Sequence, residues 1–99
     1  MGNYSIEQHD ELFEAVLSLS SIEDARLFFE DICTVQEIES IAQRFEVAKM
    51  LCEGKSYDDI NKLTHASTAT ISRVSRCVNY GCGGYKTAVD RLGEIENAE

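Results

Sequence analysis

Apolar residues recur at helical spacing along the chain, in segments that open with Ser or Thr and carry an acid or amide three residues later. The clearest opening is Thr34 with Glu37, which has the form of a capping box, in which each side chain bonds the other residue's backbone N–H. Similar openings stand at Ser5, Ser21 and Ser56. This pattern predicts an all-α fold of six helices, three of them short, with no strand.

Residues 1–54 are predicted to form three helices that make a dimerisation core. The first helix should run from a capping box at Ser5 to about Ser18, and the second should open at Ser21. The third and longest should run from Thr34 to a stop at Gly54. These helices carry more apolar surface than a compact monomer of this length would cover, so we expect a homodimer.

Residues 55–80 are predicted to form two short helices joined by a tight corner, which is a helix-turn-helix. The first should be capped by Ser56 and should turn Ile60 and Leu63 inward. The corner falls at residues 64–66, and Ser67 begins the second helix, whose inward residues should be Ile71, Val74 and Val78. A glycine-rich break follows, then a C-terminal helix over 85–93 and an acidic tail over 94–99 that should fray.

The outer side of the second short helix offers hydroxyls, a methyl group and guanidinium groups, which suit the major groove of duplex DNA. The residues expected to face base edges are Ser67, Thr68, Ala69 and Thr70. Those expected to contact the phosphate backbone are Lys55, Tyr57, Lys62, Ser72, Arg73 and Arg76. The alternative interpretation is a closely packed helix whose arginines are only solvated.

The net charge of −9 opposes DNA binding, because duplex affinity depends on neutralising phosphates. The charges are unevenly distributed, however. Residues 1–40 hold ten acids against one base, a local charge of −9, whereas residues 61–89 hold four bases and no acid. The basic segment can therefore face DNA while the acids form a solvated surface, and non-specific affinity should be modest.

Other functional classes find little support. No apolar run reaches the roughly 20 residues of a membrane span, so we expect a cytoplasmic, nucleoid-associated protein with no membrane contact. The four cysteines have no secretion signal and should be reduced thiols, and their spacing with His65 fits no zinc site. Two distant histidines assemble no catalytic set, so we expect neither an enzyme nor a cofactor.

The segment CTVQEIESIAQRFEVAKMLCEGKSYDDINKLTHASTATISR resembles the core of the Trp repressor superfamily. Within it, the similarity is strongest to the small TrpR-like branch of the YerC/YecD type. The specific features are the capped start at Thr34, the Gln43-Arg44 pair, the stop at Gly54 and the ATISR run ending at Arg73. The resemblance implies an intertwined helical dimer that represses transcription by binding a near-palindromic operator.

The resemblance also implies an effector site, because Arg44 and Arg73 match the two arginines that hold tryptophan in the repressor. Thr34 matches a threonine of the same pocket. Three departures, Val74 for glycine, Cys77 for serine and His65 for the turn glycine, predict that L-tryptophan is not a corepressor here. The valine would overfill the indole space.

Three interpretations of Arg44 and Arg73 remain open: direct contact with phosphate, binding of another anionic effector, or ion pairing with Glu37, Glu46 or the acidic N-terminal half.

Two interpretations of the whole chain remain open. It is either a dimeric DNA-binding regulator or a protein-interaction module whose acidic N-terminal face binds a basic partner, with the helix-turn-helix as scaffold.

Overall fold

A computed structural model describes residues 3–98, so Met1, Gly2 and Glu99, at the ends of the predicted core and tail, lie outside the described residues. Every regular element in that range is helical, which confirms the all-α prediction. A short 3-10 helix at Ile6–His9 precedes six α-helices: α1 (Asp10–Leu17), α2 (Ile22–Ile32), α3 (Val35–Cys52), α4 (Tyr57–Thr64), α5 (Thr68–Tyr80) and α6 (Gly84–Ala98).

The predicted caps form at the starts of α2 and α3. The Ser21 hydroxyl accepts a hydrogen bond of 3.0 Å from the backbone N–H of Asp24. At α3 the capping box is reciprocal: the Thr34 hydroxyl accepts from the Glu37 N–H at 3.1 Å, and the Glu37 carboxylate accepts from the Thr34 N–H at 2.8 Å. These bonds satisfy backbone donors that a helix start otherwise leaves free.

The predicted capping box at Ser5 is wrong. Its hydroxyl donates to the Glu7 carboxylate and makes no cap to the backbone. The chain there forms one turn of 3-10 helix, and α1 begins only at Asp10. Serine competes with the backbone for local hydrogen-bond partners, so a carboxylate two residues away can remove it from the capping role.

The chain divides into two units, one ending at Ile38 and the other beginning at Glu39. None of the described residues of the first unit is buried. Leu17 is 83% exposed, Ile22 69% and Leu27 55%, so these apolar side chains of α1 and α2 lack cover within a single chain. A single domain over residues 1–99, with a core over 1–54, stays a prediction.

The hydrophobic core lies in the second unit, where α3, α4, α5 and the corner between α4 and α5 contribute buried side chains. These are Val47, Ala48, Ile60, Ala66, Ile71, Val74 and Val78, with Met50, Leu51 and Tyr85 packed against them. The inward positions predicted on α5 are confirmed. The core therefore holds α5 by one face and leaves its opposite face open.

Leu63 was predicted to point inward and is instead 61% exposed. The core position is taken by Ala66, which is only 1% exposed and follows the corner. Because α4 has only eight residues and ends at Thr64, its buried face holds Ile60 alone.

The C-terminal helix extends beyond its predicted end. α6 runs to Ala98, so residues 94–98 continue the helix beyond its expected end at residue 93, and Glu99 lies outside the described residues. Fraying of this end stays a prediction. Gly93 costs a helix only about 1 kcal/mol relative to alanine, which does not end it. Glu94, Glu96 and Ala98 then favour helix, and no proline interrupts them.

Candidate nucleic-acid interface

The corner between α4 and α5 is held by local hydrogen bonds. His65 ends α4 in the left-handed conformation, with φ 61°, and its N–H donates to the Asn61 carbonyl at 2.8 Å. The Asn61 side chain donates to the Ala66 carbonyl at 2.7 Å, and the Thr64 hydroxyl accepts from the Ala66 N–H at 3.1 Å. These bonds fix the direction in which α5 leaves the corner.

The C-terminal part of α3 is joined to this corner. The Gln43 side chain donates to the Thr64 carbonyl at 3.1 Å across the space between α3 and the end of α4. Before the start of α4, α3 ends at Cys52, and Gly54 follows with φ 84°. The Lys55 N–H donates to the Met50 carbonyl at 3.0 Å. This is a Schellman-type end, and it fixes the short connection into α4.

The start of α5 is an ordered N-terminus. The Ser67 hydroxyl accepts from the Thr70 N–H at 3.1 Å and also contacts the Thr70 hydroxyl at 3.1 Å. Ser67, Thr68 and Ala69 are exposed, whereas Thr70 is half-buried. Because the hydroxyls of Ser67 and Thr70 already bond each other, Thr68 and Ala69 have the side chains most free to meet a base edge.

The remaining predicted DNA contacts belong to the same unit. Lys55, Tyr57, Lys62, Arg73 and Arg76 are exposed, and Ser72 is half-buried. Within residues 3–98, the ion pairs are those of Arg26 with Glu23 and of Lys49 with Glu46. Lys55, Lys62, Arg73 and Arg76 therefore have no carboxylate within ion-pairing distance among these residues, so each is free to bind an anion.

A cavity of about 310 Å³ lies beside α5, within the second unit. Its lining residues are Arg44, Arg73, Val74, Cys77 and Tyr85. It brings together the two arginines singled out in the sequence, one from α3 and one from α5. The Arg44 guanidinium donates to the Ser40 hydroxyl at 2.9 Å.

The ion-pairing interpretation of these two arginines is not supported, since neither has a carboxylate partner among the described residues and Glu46 pairs with Lys49 at 3.8 Å. Thr34 belongs to the other unit, where its hydroxyl caps α3. Sequence reasoning missed Tyr85 as a cavity residue. The signal that could have found it is an aromatic side chain directly after the glycine-rich break.

The described residues contain no cluster of three potential metal ligands. Across residues 3–98, every helix is too short or too polar to cross a bilayer.

Comparison with known proteins adds independent information. Residues 7–93 match the Trp repressor protein family. The chain is 55% identical over 87 residues to YerC, an uncharacterized protein of Bacillus subtilis, covering 88% of this chain and 84% of YerC. It is also similar to two solved structures.

One is a TrpR-like protein from Eubacterium eligens, with 55% identity and a TM-score of 0.83 over 88% of this chain and 90% of that one. The other is a candidate Trp repressor from Staphylococcus aureus, with 44% identity and a TM-score of 0.84 over 92% and 96% of the two chains. The family match covers most of the sequence, and the fold agrees over the parts of the chain that these structures cover. The chain therefore belongs to the Trp repressor family, a family of regulators.

Proposed function

We propose that this protein is a sequence-specific, double-stranded DNA-binding transcriptional regulator, acting as a repressor. The observation that carries the proposal is the exposed face of α5, which is free of acids, fixed by a hydrogen-bonded corner and held from behind by Ile71, Val74 and Val78. An α-helix presented in this way fits the major groove. The related candidate repressor from Staphylococcus aureus supports the same function.

We further propose that the regulator is a homodimer that reads a near-palindromic operator. The exposed apolar residues of α1 and α2, among them Leu17 and Leu27, need cover that one chain lacks. A two-fold dimer would also present two copies of α5, which is how helix-turn-helix proteins read half-sites roughly one DNA turn apart.

The contacts divide by chemistry. Thr68 and Ala69, with Ser67 and Thr70, stand at the start of α5, where side chains of a recognition helix meet base edges. A second group of residues contacts the phosphate backbone of the DNA. From α4 and the connection before it come Lys55, Tyr57 and Lys62, and from α5 come Ser72, Arg73 and Arg76. The free N–H groups at the start of α5 favour a phosphate in the same place.

In vitro selection from a random duplex library tests this function directly. We expect enrichment of a roughly two-fold-symmetric motif by the purified protein and its loss with Arg73→Ala, because that change removes a cation of α5. Arg26→Ala is the matched control, since Arg26 is equally an exposed arginine but lies on α2 beside Glu23. A failure to enrich any motif at low salt would contradict the proposal.

The arginine cavity is proposed to hold an anion, either a phosphate of DNA or a small anionic effector, and not L-tryptophan. Val74 lines the cavity and is only 2% exposed, so it is fixed in the core and takes up space that an indole would need. Overpacking of this kind costs about 1–3 kcal/mol. We expect millimolar tryptophan to leave the melting temperature unchanged, and a clear rise would overturn this expectation.

A protein-interaction module is the second candidate, favoured by the ten acids and one base of residues 1–40. In that case a basic partner would bind the acidic N-terminal helices, and replacing their acids by amides would abolish binding. Under the regulator proposal the same replacements leave the selected DNA motif unchanged. We place either function in the cytoplasm, and the regulator on the nucleoid.

A further inference from the structure

Two of the four free cysteines stand five residues apart in the sequence, at the C-terminal end of α5. Cys77 is in the last turns of α5 and Cys82 is in the loop before α6, and both side chains are exposed. Both line an apolar cavity of about 430 Å³ whose other lining residues are Gly81, Gly84, Tyr85 and Ala88. Cys77 also lines the neighbouring arginine cavity, so its thiol belongs to both sites.

α5 ends between the two cysteines, at the C-cap residue Gly81. The Gly81 N–H donates to the Cys77 carbonyl at 2.9 Å. A Cβ built at Gly81 would lie 2.4 Å from that carbonyl oxygen, so only glycine fits there. The chain leaves the helix at this residue, and Gly83 follows with φ 90°.

This geometry makes a bond between the two thiols feasible. In a continuous helix, residues five apart are separated by about 7.5 Å along the axis alone, beyond the Cα–Cα range of a disulfide. Ending the helix at Gly81 removes that constraint. Gly81 is the one glycine between the two cysteines, and because the chain leaves the helix there, Cys82 is not held at helical spacing from Cys77.

We propose that Cys77 and Cys82 form a peroxide-sensitive thiol pair. The Cys77 thiolate attacks one oxygen of a hydroperoxide, the O–O bond breaks, and the sulfur becomes a sulfenic acid while the other oxygen leaves as hydroxide or alkoxide. The Cys82 thiol then attacks that sulfur and displaces water, giving an intrachain disulfide. Two thiols lose two electrons and two protons, and the peroxide is reduced.

Cys77 is the attacking residue because its cavity also contains Arg44 and Arg73. Guanidinium groups there stabilise the negative charge that moves onto the leaving oxygen, and reactive cysteines are typically exposed in electropositive surroundings. Cys82 lines only the apolar cavity, so it suits the second step. Cys33 and Cys52 line neither cavity.

The modification would act on DNA binding, and this consequence rests on the proposed function. Cys77 follows Arg76 directly and lies one turn after Arg73 on α5. A disulfide draws the end of α5 toward the loop and disturbs both guanidinium groups. We expect the oxidised protein to bind its selected DNA about tenfold more weakly, the loss expected from one or two charge-assisted phosphate contacts.

The test is titration of the reduced full-length protein with hydrogen peroxide, followed by alkylation of the remaining thiols and peptide mass spectrometry. We expect an intrachain link between Cys77 and Cys82 that dithiothreitol reverses. Cys82→Ser should stop at a sulfenic acid on Cys77 that dimedone traps, and Cys77→Ser should abolish both products. A Cys33→Ser, Cys52→Ser double variant is the matched control and should react like the parent protein.

A disulfide between chains, a link that uses Cys33 or Cys52, or no dimedone adduct in Cys82→Ser would overturn the proposal. Circular dichroism checks that each serine variant keeps its helices. Because the chemistry is measured by mass, it is judged separately from DNA binding. Oxidation that links the pair but leaves DNA affinity unchanged would overturn the regulatory consequence alone.

Discussion

At the scale of single residues, the corner of the helix-turn-helix depends on backbone conformations that most side chains disfavour. His65 is the only non-glycine residue with positive φ among those described, at 61°. The left-handed conformation costs an L-residue about 1–2 kcal/mol, although histidine is among the side chains that tolerate it better. Local hydrogen bonds from Asn61 and Thr64 hold this conformation in place.

Replacing His65 by glycine should therefore stabilise the protein by about 0.5–1 kcal/mol, because the relief of strain exceeds the extra entropy of an unfolded glycine. Urea denaturation at a fixed protein concentration measures the change. Gly54→Ala is the opposing variant: φ is 84° there and nothing lies within 4 Å, so strain alone should cost about 1 kcal/mol. A lower urea midpoint for His65→Gly would contradict this account.

At the scale of elements, α4 and α5 should contribute different kinds of contact to DNA. Lys62 lies exposed in the last turn of α4, with no carboxylate in ion-pairing range among the described residues. Thr68 lies exposed in the first turn of α5. Their substitutions should therefore have distinguishable effects.

Lys62→Ala should weaken binding to all sequences about equally and reduce the slope of log affinity against log salt by roughly one unit. Thr68→Ala should instead relax preference at one base position, with little change in salt dependence. Lys49→Ala is the control, because Lys49 is already paired with Glu46. Salt titrations on the selected motif and on a scrambled duplex measure both quantities, and the reverse pattern would show that the roles are exchanged.

The elements also show which features the sequence could predict. Caps at Ser21, Thr34, Ser56 and Ser67 were predictable because each depends on residues three apart, and the buried face of α5 followed from its periodicity. The predictions that were wrong involve a choice between nearby residues. The Ser5 hydroxyl bonds a side chain instead of the backbone, and Ala66 is buried in the core where Leu63 was expected. The cavity beside Arg73 could not be predicted in full, because Tyr85 reaches it from another helix.

At the scale of the whole molecule, the distribution of apolar surface separates the two units. The second unit has a buried core, whereas the first has none among its described residues and exposes Leu17, Ile22, Leu27 and Ile32. Each such side chain stabilises a protein by about 1.5–3 kcal/mol when it is fully buried. A second copy of the chain can supply that burial, so folding of the N-terminal helices and dimerisation should be coupled.

Leu27→Glu should therefore dissociate the dimer, because it places a carboxylate in the apolar surface that the partner is proposed to cover. Sedimentation at micromolar concentration should give twice the chain mass of 11.1 kDa for the parent protein and a monomer for the variant. Arg26→Gln is the matched control, since it also makes the chain more negative by one unit but changes the polar side of α2. A monomeric parent would remove the dimer proposal. A dimeric Leu27→Glu variant would show that α2 is not in the interface, whereas a monomer that also loses the selected DNA motif would link dimerisation to operator recognition.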